Sequence, residues 1–174
     1  MTIFNTTSAG SNYSVTIVNR PSTLSISSSL LEKNAEAAIN YLGQYITWRG
    51  TLDFAVEFDI NDTEGYWTPN GSYYSAHGGI YWEQPSANAS RTYAQHEAFT
   101  GIDGNGSAYD GGVWISKYVT SELSIGYGTG DSYYVNPNPQ SSYEVVDNPN
   151  ISNSGVADFF GVFLHEIVHS MGIW

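Results

Sequence analysis

From Val156 to Met171 the chain reads VADFFGVFLHEIVHSM, a stretch at helical spacing whose apolar residues fall on nearly every face. With Phe159, Phe160, Val162, Phe163, Leu164, Ile167, Val168 and Met171 spread around it, such a helix has no side to turn toward water and is expected to be central and buried. Asn153 or Ser154 is placed to cap its start. The polar exceptions are Asp158, His165, Glu166, His169 and Ser170. Charged and imidazole groups in apolar surroundings are costly unless paired or bound to a metal. Other elements must therefore wrap this helix, and its polar cluster must have a use.

Two upstream segments show what does the wrapping. Leu31, Ala35, Ala38, Ile39, Leu42, Tyr45 and Ile46 form one apolar stripe at helical spacing, and Ser29 with Glu32 fits an S-x-x-E capping box, so an amphipathic helix is predicted over about 29–47. Gly50 ends it. In TLDFAVEFDI, Leu52, Phe54, Val56, Phe58 and Ile60 then alternate with Asp53, Ala55, Glu57 and Asp59, the period of a strand with one buried and one wet face. YSVTIV (13–18), GGIYWEQ (78–84), GGVWISKYV (111–119) and ELSIGYG (122–128) are further strand candidates, the last expected near the third. Residues 128–154 read as a long polar loop. Residues 1–174 are thus expected to form a single α+β domain: a twisted mixed sheet with two long helices, the second carrying the polar cluster.

Charge narrows the partners. Asp and Glu number 17 against 5 Lys and Arg, a net charge of -12. Such a surface repels phosphate backbones and anionic headgroups, so neither nucleic acid nor membrane is expected as a partner. It suits hard cations, Ca²⁺ first among them, although acidity also serves solubility alone. With no cysteine in the chain, any metal must be held by His, Asp or Glu. Met1 to Ser14 lacks the basic and apolar regions of a signal peptide. The chain is then either cytoplasmic or exported by a signal not present here, and a secreted monomer is the expectation.

The cluster HEIVH has a specific chemical meaning. His165 and His169, at i and i+4, share one helix face with Cβ atoms about 6 Å apart, close enough to converge on one ion. Zinc favours such nitrogen ligands, at about 2.0–2.1 Å, and lowers the pKa of a water to about 7. Glu166, one step round the helix, is placed to take that proton without binding the metal and to pass it to a leaving amine. The same residues also fit a bland reading, two core histidines with an ion-paired Glu. Two ligands are one short of a hydrolytic zinc site. Gly172 is suited to a positive φ just past the helix end, where it would turn the chain back and let a later residue swing beneath the ion.

HEIVHSMGIW resembles the first ten residues of the metzincin zinc-protease signature H-E-x-x-H-x-x-G-x-x-H, with His165, Glu166, His169 and Gly172 at the matching positions. The upstream order of long helix, alternating strand, further strands and motif helix is similar to a metzincin N-terminal subdomain, and the serralysin- or matrixin-like members resemble it most. The resemblance implies a zinc-dependent endopeptidase acting on protein or peptide, with His165 and His169 as zinc ligands and Glu166 as base. The family's third ligand would be position 175, and its Met-turn and C-terminal subdomain would follow. The expectation is therefore the N-terminal part of a catalytic domain, with little or no activity in this form. In the same reading the strand VWISKYV is the edge strand that pairs with extended substrate.

Three other features bear on function. Asp103, Asn105, Ser107 and Asp110 lie among four glycines in TGIDGNGSAYDGG (100–112), which fits either a Ca²⁺ loop or an Asx-rich turn. His77 and His96 stand alone in polar stretches and are expected to be surface residues. A rival function is a carbohydrate-binding or adhesin-like module using Trp67, Trp82 or Trp114 as stacking platforms. A thermolysin-like zincin, with a distant Glu as third ligand, is disfavoured by Gly172.

Overall fold

The computed structural model describes residues 3–5, 12–22, 24, 26–59, 76–80, 91–116, 123–125, 133–135 and 159–173. The first long helix, α1 (Ser28–Leu42), starts two residues before the expected capping box. Ser27 is the cap, its hydroxyl accepting the Leu30 N–H at 3.2 Å. Three consecutive serines offer three possible caps, and the earliest gives the longest run of intrahelical bonds. Gly43 closes the helix, short of the expected residue 47, and the chain continues in turns through Tyr45 and Ile46. Tyr45, assigned to the apolar stripe, is consequently exposed. Leu31, Ala35, Ala38, Ile39 and Leu42 are buried as the periodicity requires.

The main sheet contains β1 (Ile3–Asn5), β2 (Asn12–Val18), β3 (Thr51–Asp59), β4 (Ala76–Ile80) and β5 (Gly111–Ser116). Its order is β1-β2-β3-β5-β4; β2, β3 and β5 run parallel, and the outer strands β1 and β4 run antiparallel to their neighbours. The expected mixed sheet is present. Two details differ. The strand at 111–116 is not an edge: β3 bonds one side of it and β4 the other, so it has no free edge to offer a substrate, and the outer strand is β4. The polar face of β3 is only partly wet, its Asp53 and Glu57 half-buried. Ala55 is buried, Asp53 accepts the Ser14 hydroxyl, and Glu57 accepts the Asn19 amide at 3.0 Å and the Trp114 indole N–H at 2.9 Å.

A smaller sheet pairs β6 (Leu123–Ile125) in parallel with β7 (Tyr133–Val135). β7 lies inside the stretch read as a polar loop, and its Val135 is fully buried. ELSIGYG thus pairs with β7 among the described residues rather than with β5. The outer parts of the predicted strands, residues 60, 81–84, 117–119, 122 and 126–128, fall outside the described residues.

A third helix, α2 (Tyr93–Thr100), was not expected. Its start is a capping box: the Thr92 hydroxyl accepts the Gln95 N–H at 3.0 Å and the Gln95 side chain accepts the Thr92 N–H at 3.2 Å. Gly101, in the left-handed region at φ 75°, ends it. Glu97 fastens α2 to the sheet by accepting the Thr51 N–H at 2.8 Å.

The last helix, α3 (Phe159–Ser170), packs against α1, β4, β5 and β7. The caps proposed at Asn153 or Ser154, and Asp158, fall outside the described residues. Phe159, Phe160, Phe163, Ile167, Ser170 and Met171 make the buried face, and the Phe160 ring meets Tyr41 of α1 edge-on with centroids 6.0 Å apart. Burial on every side, as expected from composition, is not what is found. His165 and His169 fall on the side of the cylinder away from Phe163 and Ile167, exposed and half-buried respectively, while Glu166, about two turns from Phe159, lies at the margin of the buried face and is half-buried. Val162, Leu164 and Val168 pack only at the margins of the core.

Candidate metal centre

The histidine pair is built by α3 alone. One helical turn separates His165 from His169, and their Nε2 atoms stand 3.0 Å apart, with ring centroids 4.4 Å apart and planes nearly perpendicular. Two nitrogens bound to one tetrahedral zinc at about 2.0–2.1 Å stand about 3.3 Å apart, so the observed approach is within a few tenths of an ångström of what a shared ion requires. Both nitrogens lie on the open side of the helix, which suits an ion that must also receive a reactant.

The tautomer of His169 follows from its other contact. Its Nδ1 lies 3.2 Å from the Ile173 carbonyl oxygen. A carbonyl has no hydrogen to give, so Nδ1 donates, and in the neutral ring the lone pair is left on Nε2, facing His165. Without a metal, that lone pair accepts the Nε2–H of His165.

The carbonyl is set in place by the way α3 stops. Gly172 has φ 74°, and the Ile173 N–H returns to the Val168 carbonyl at 3.1 Å while the Gly172 N–H returns to the His169 carbonyl at 2.8 Å. This is the paired closure of a helix ended by a left-handed glycine, the role the sequence suggested for Gly172. The glycine is required twice over. A side chain is strained at that φ, and its Cβ would lie 2.6 Å from Gln95 Nε2.

Glu166 is half-buried beside the pair. Among the described residues no group of three His, Cys, Asp or Glu side chains stands at metal-binding spacing, so the structure brings together His165 and His169 and adds no third ligand to them. His77 lies on β4, opposite Trp114 in register, and His96 lies in α2, where it joins no such group among the described residues. Of the three tryptophans considered as sugar platforms, Trp67 and Trp82 fall outside the described residues, and Trp114 is half-buried with its indole N–H held by Glu57.

In the 100–112 loop, Asp103 Oδ1 accepts the N–H groups of Asn105 and Gly106 at 3.0 and 2.7 Å. The Asn105 amide donates to the Ala108 and Tyr109 carbonyls. These bonds are those of an Asx turn and account for the loop's geometry without an ion. Asp110 is different. It is 2% exposed and exchanges two backbone-directed bonds with Asp53, each of 2.8 Å, at the point where β5 joins β3. Its Oδ1 has no hydrogen-bond partner among the described residues. Burial, then the nearby Glu97, Asp53 and Asp103 carboxylates, push its pKa from 3.8 up to about 7, against the lowering by the Asp53 N–H. Burial raises Glu97 in the same direction.

This buried acid was not singled out from the sequence as an acid-base group, and it makes a pH prediction. Between pH 4 and pH 7 the native chain holds a proton on Asp110 that the unfolded chain has released. Its contribution to stability is therefore fully present below the unfolded pKa and is lost as pH rises through about 7. Asp110→Asn keeps an oxygen for the Asp53 N–H and cannot ionise. Melting temperature followed from pH 4 to pH 8 should fall less in Asp110→Asn than in the parent; parallel curves would show that Asp110 ionises freely in the fold.

No family model, curated protein or solved structure matches this chain. The site is therefore interpreted on its own geometry.

Proposed function

We propose that this chain carries the zinc-binding helix of a peptide hydrolase of metzincin type. The observation that supports the reading is the convergence of His165 and His169 Nε2 to 3.0 Å on the open side of a helix stopped by a left-handed Gly172. In this reading His165 and His169 hold the ion and Glu166 is the base. Bound zinc supplies Lewis acidity toward water and toward a peptide carbonyl. Glu166 takes the proton of the attacking water on a carboxylate oxygen and delivers it to the departing amine nitrogen. Extended substrate lies along β4 rather than β5, because β4 is an outer strand of the sheet, as β5 is not, and α3 packs beside it. The substrate is a protein or peptide met outside the cell.

The test is metal content of the protein as its gene encodes it. The expected result is about one zinc per chain, lost in His165→Ala and in His169→Ala, each at a folded far-ultraviolet spectrum. Zinc retained when both histidines are replaced would sink the proposal. Binding of oligosaccharide with no metal requirement would favour the carbohydrate-binding alternative.

A further inference from the structure

Gln95 stands seventy-seven positions before Gly172 in the chain, yet its side-chain amide donates to the Gly172 carbonyl at 3.2 Å. The same side chain accepts the Thr92 N–H through its oxygen. Both ends of the amide are thus in use, one closing the cap of α2 and the other gripping the turn after α3. The peptide unit joining Gly172 to Ile173 is held from both sides: its N–H by the Val168 carbonyl, its oxygen by Gln95. With that plane fixed, the next carbonyl along, that of Ile173, is presented to His169 Nδ1.

We propose that Gln95 is a positioning residue for His169: α2 braces the Gly172–Ile173 peptide, and the Ile173 carbonyl that follows the braced unit keeps the His169 proton on Nδ1 and its lone pair on Nε2. The physical reason is that a peptide unit held by one hydrogen bond is free to rock about its other end, and the rocking moves the next carbonyl along, which then cannot select between two tautomers. Groups that orient a ligating imidazole from behind set its tautomer and basicity, and their loss lowers metal affinity by about 10–100-fold. Gln95 acts through a second residue, so the lower end of that range is expected. The inference rests on the reading of His165 and His169 as ligands.

Gln95→Glu separates the brace from the cap. A carboxylate at this position still accepts the Thr92 N–H, and it suits the first turn of a helix, so α2 should remain intact. It has no N–H for the Gly172 carbonyl. Gln95→Ala removes both bonds. The first measurement is the His169 tautomer in the metal-free protein, read from multiple-bond ¹H–¹⁵N correlation spectra. The parent should show a protonated Nδ1 and an unprotonated Nε2, and Gln95→Glu should show averaged nitrogen shifts. The second is zinc affinity by competition with a chromophoric chelator, expected to weaken by about tenfold in Gln95→Glu. A parent-like tautomer in folded Gln95→Glu overturns the brace. A parent chain that shows the Nδ1–H tautomer but takes up no zinc overturns the ligand assignment and leaves the brace standing, so the two failures are told apart.

Discussion

If the proposed reading holds, Glu166→Gln is expected to lower peptide hydrolysis by at least about a hundredfold and to leave zinc content at the parent value. General-base assistance is worth about 10²–10⁴ in rate, and an amide of the same shape cannot accept the proton of the attacking water. The substitution is nearly isosteric at a half-buried position on the same helix as the histidines, so neither the core face of α3 nor the two imidazoles is disturbed. The measurement is turnover of casein by the protein as its gene encodes it, alongside zinc by atomic spectrometry. The pairing of the two readouts matters. A variant that loses zinc together with activity would make Glu166 part of the ligand set, and a variant that keeps full turnover would remove it from the chemistry.

The second large effect is on stability. Phe163→Ala should destabilise the fold by about 3–5 kcal/mol, the range for emptying a buried phenylalanine site. Phe163 is fully buried, packs with Phe159 at a ring-centroid separation of 6.2 Å, and lies in the core shared by α1 and the main sheet. For a chain of this size each kcal/mol moves the melting temperature by about 2–4 °C, so a drop of at least about 6 °C is expected. Phe163→Leu, which keeps most of the volume, should lose much less. Denaturant midpoints for the pair would measure the difference. Equal losses would mean that the site collapses freely and that α3 is not the centre of the core.

The parts of the fold legible in the sequence were those written in periodicity. The alternation from Leu52 to Phe58 marked β3, and the stripe from Leu31 to Leu42 marked α1. α2 was missed because it buries little, only Ala94 and Glu97. Its signal was chemical: Thr92 and Gln95 at capping-box spacing, with Gly101 past the end. The position of β5 was misread because strand order depends on distant partners. A hint was present in Gly111, Gly112 and Val113, a run with no polar side that suits a strand covered on both faces. The open side of α3 was hidden by Val162, Leu164 and Val168, apolar residues that sit at the rim of the core. The histidine pair itself was legible because i and i+4 spacing on a helix is a local fact. Gln95 was not, since nothing nearby in the chain says where Gly172 will be.

α2 ties together stretches that are remote along the chain, Glu97 to Thr51 and Gln95 to Gly172. Contacts between distant segments are slow to form, since the intervening loops must close first. The bond from Gln95 to the closing turn of α3 is therefore expected to form only after α2 has docked, later than the turn's own local bonds. A nascent or partly denatured polypeptide would carry both imidazoles without the scaffolding that orients them. The orientation of the two imidazoles is thereby expected to mature only as the surrounding elements pack.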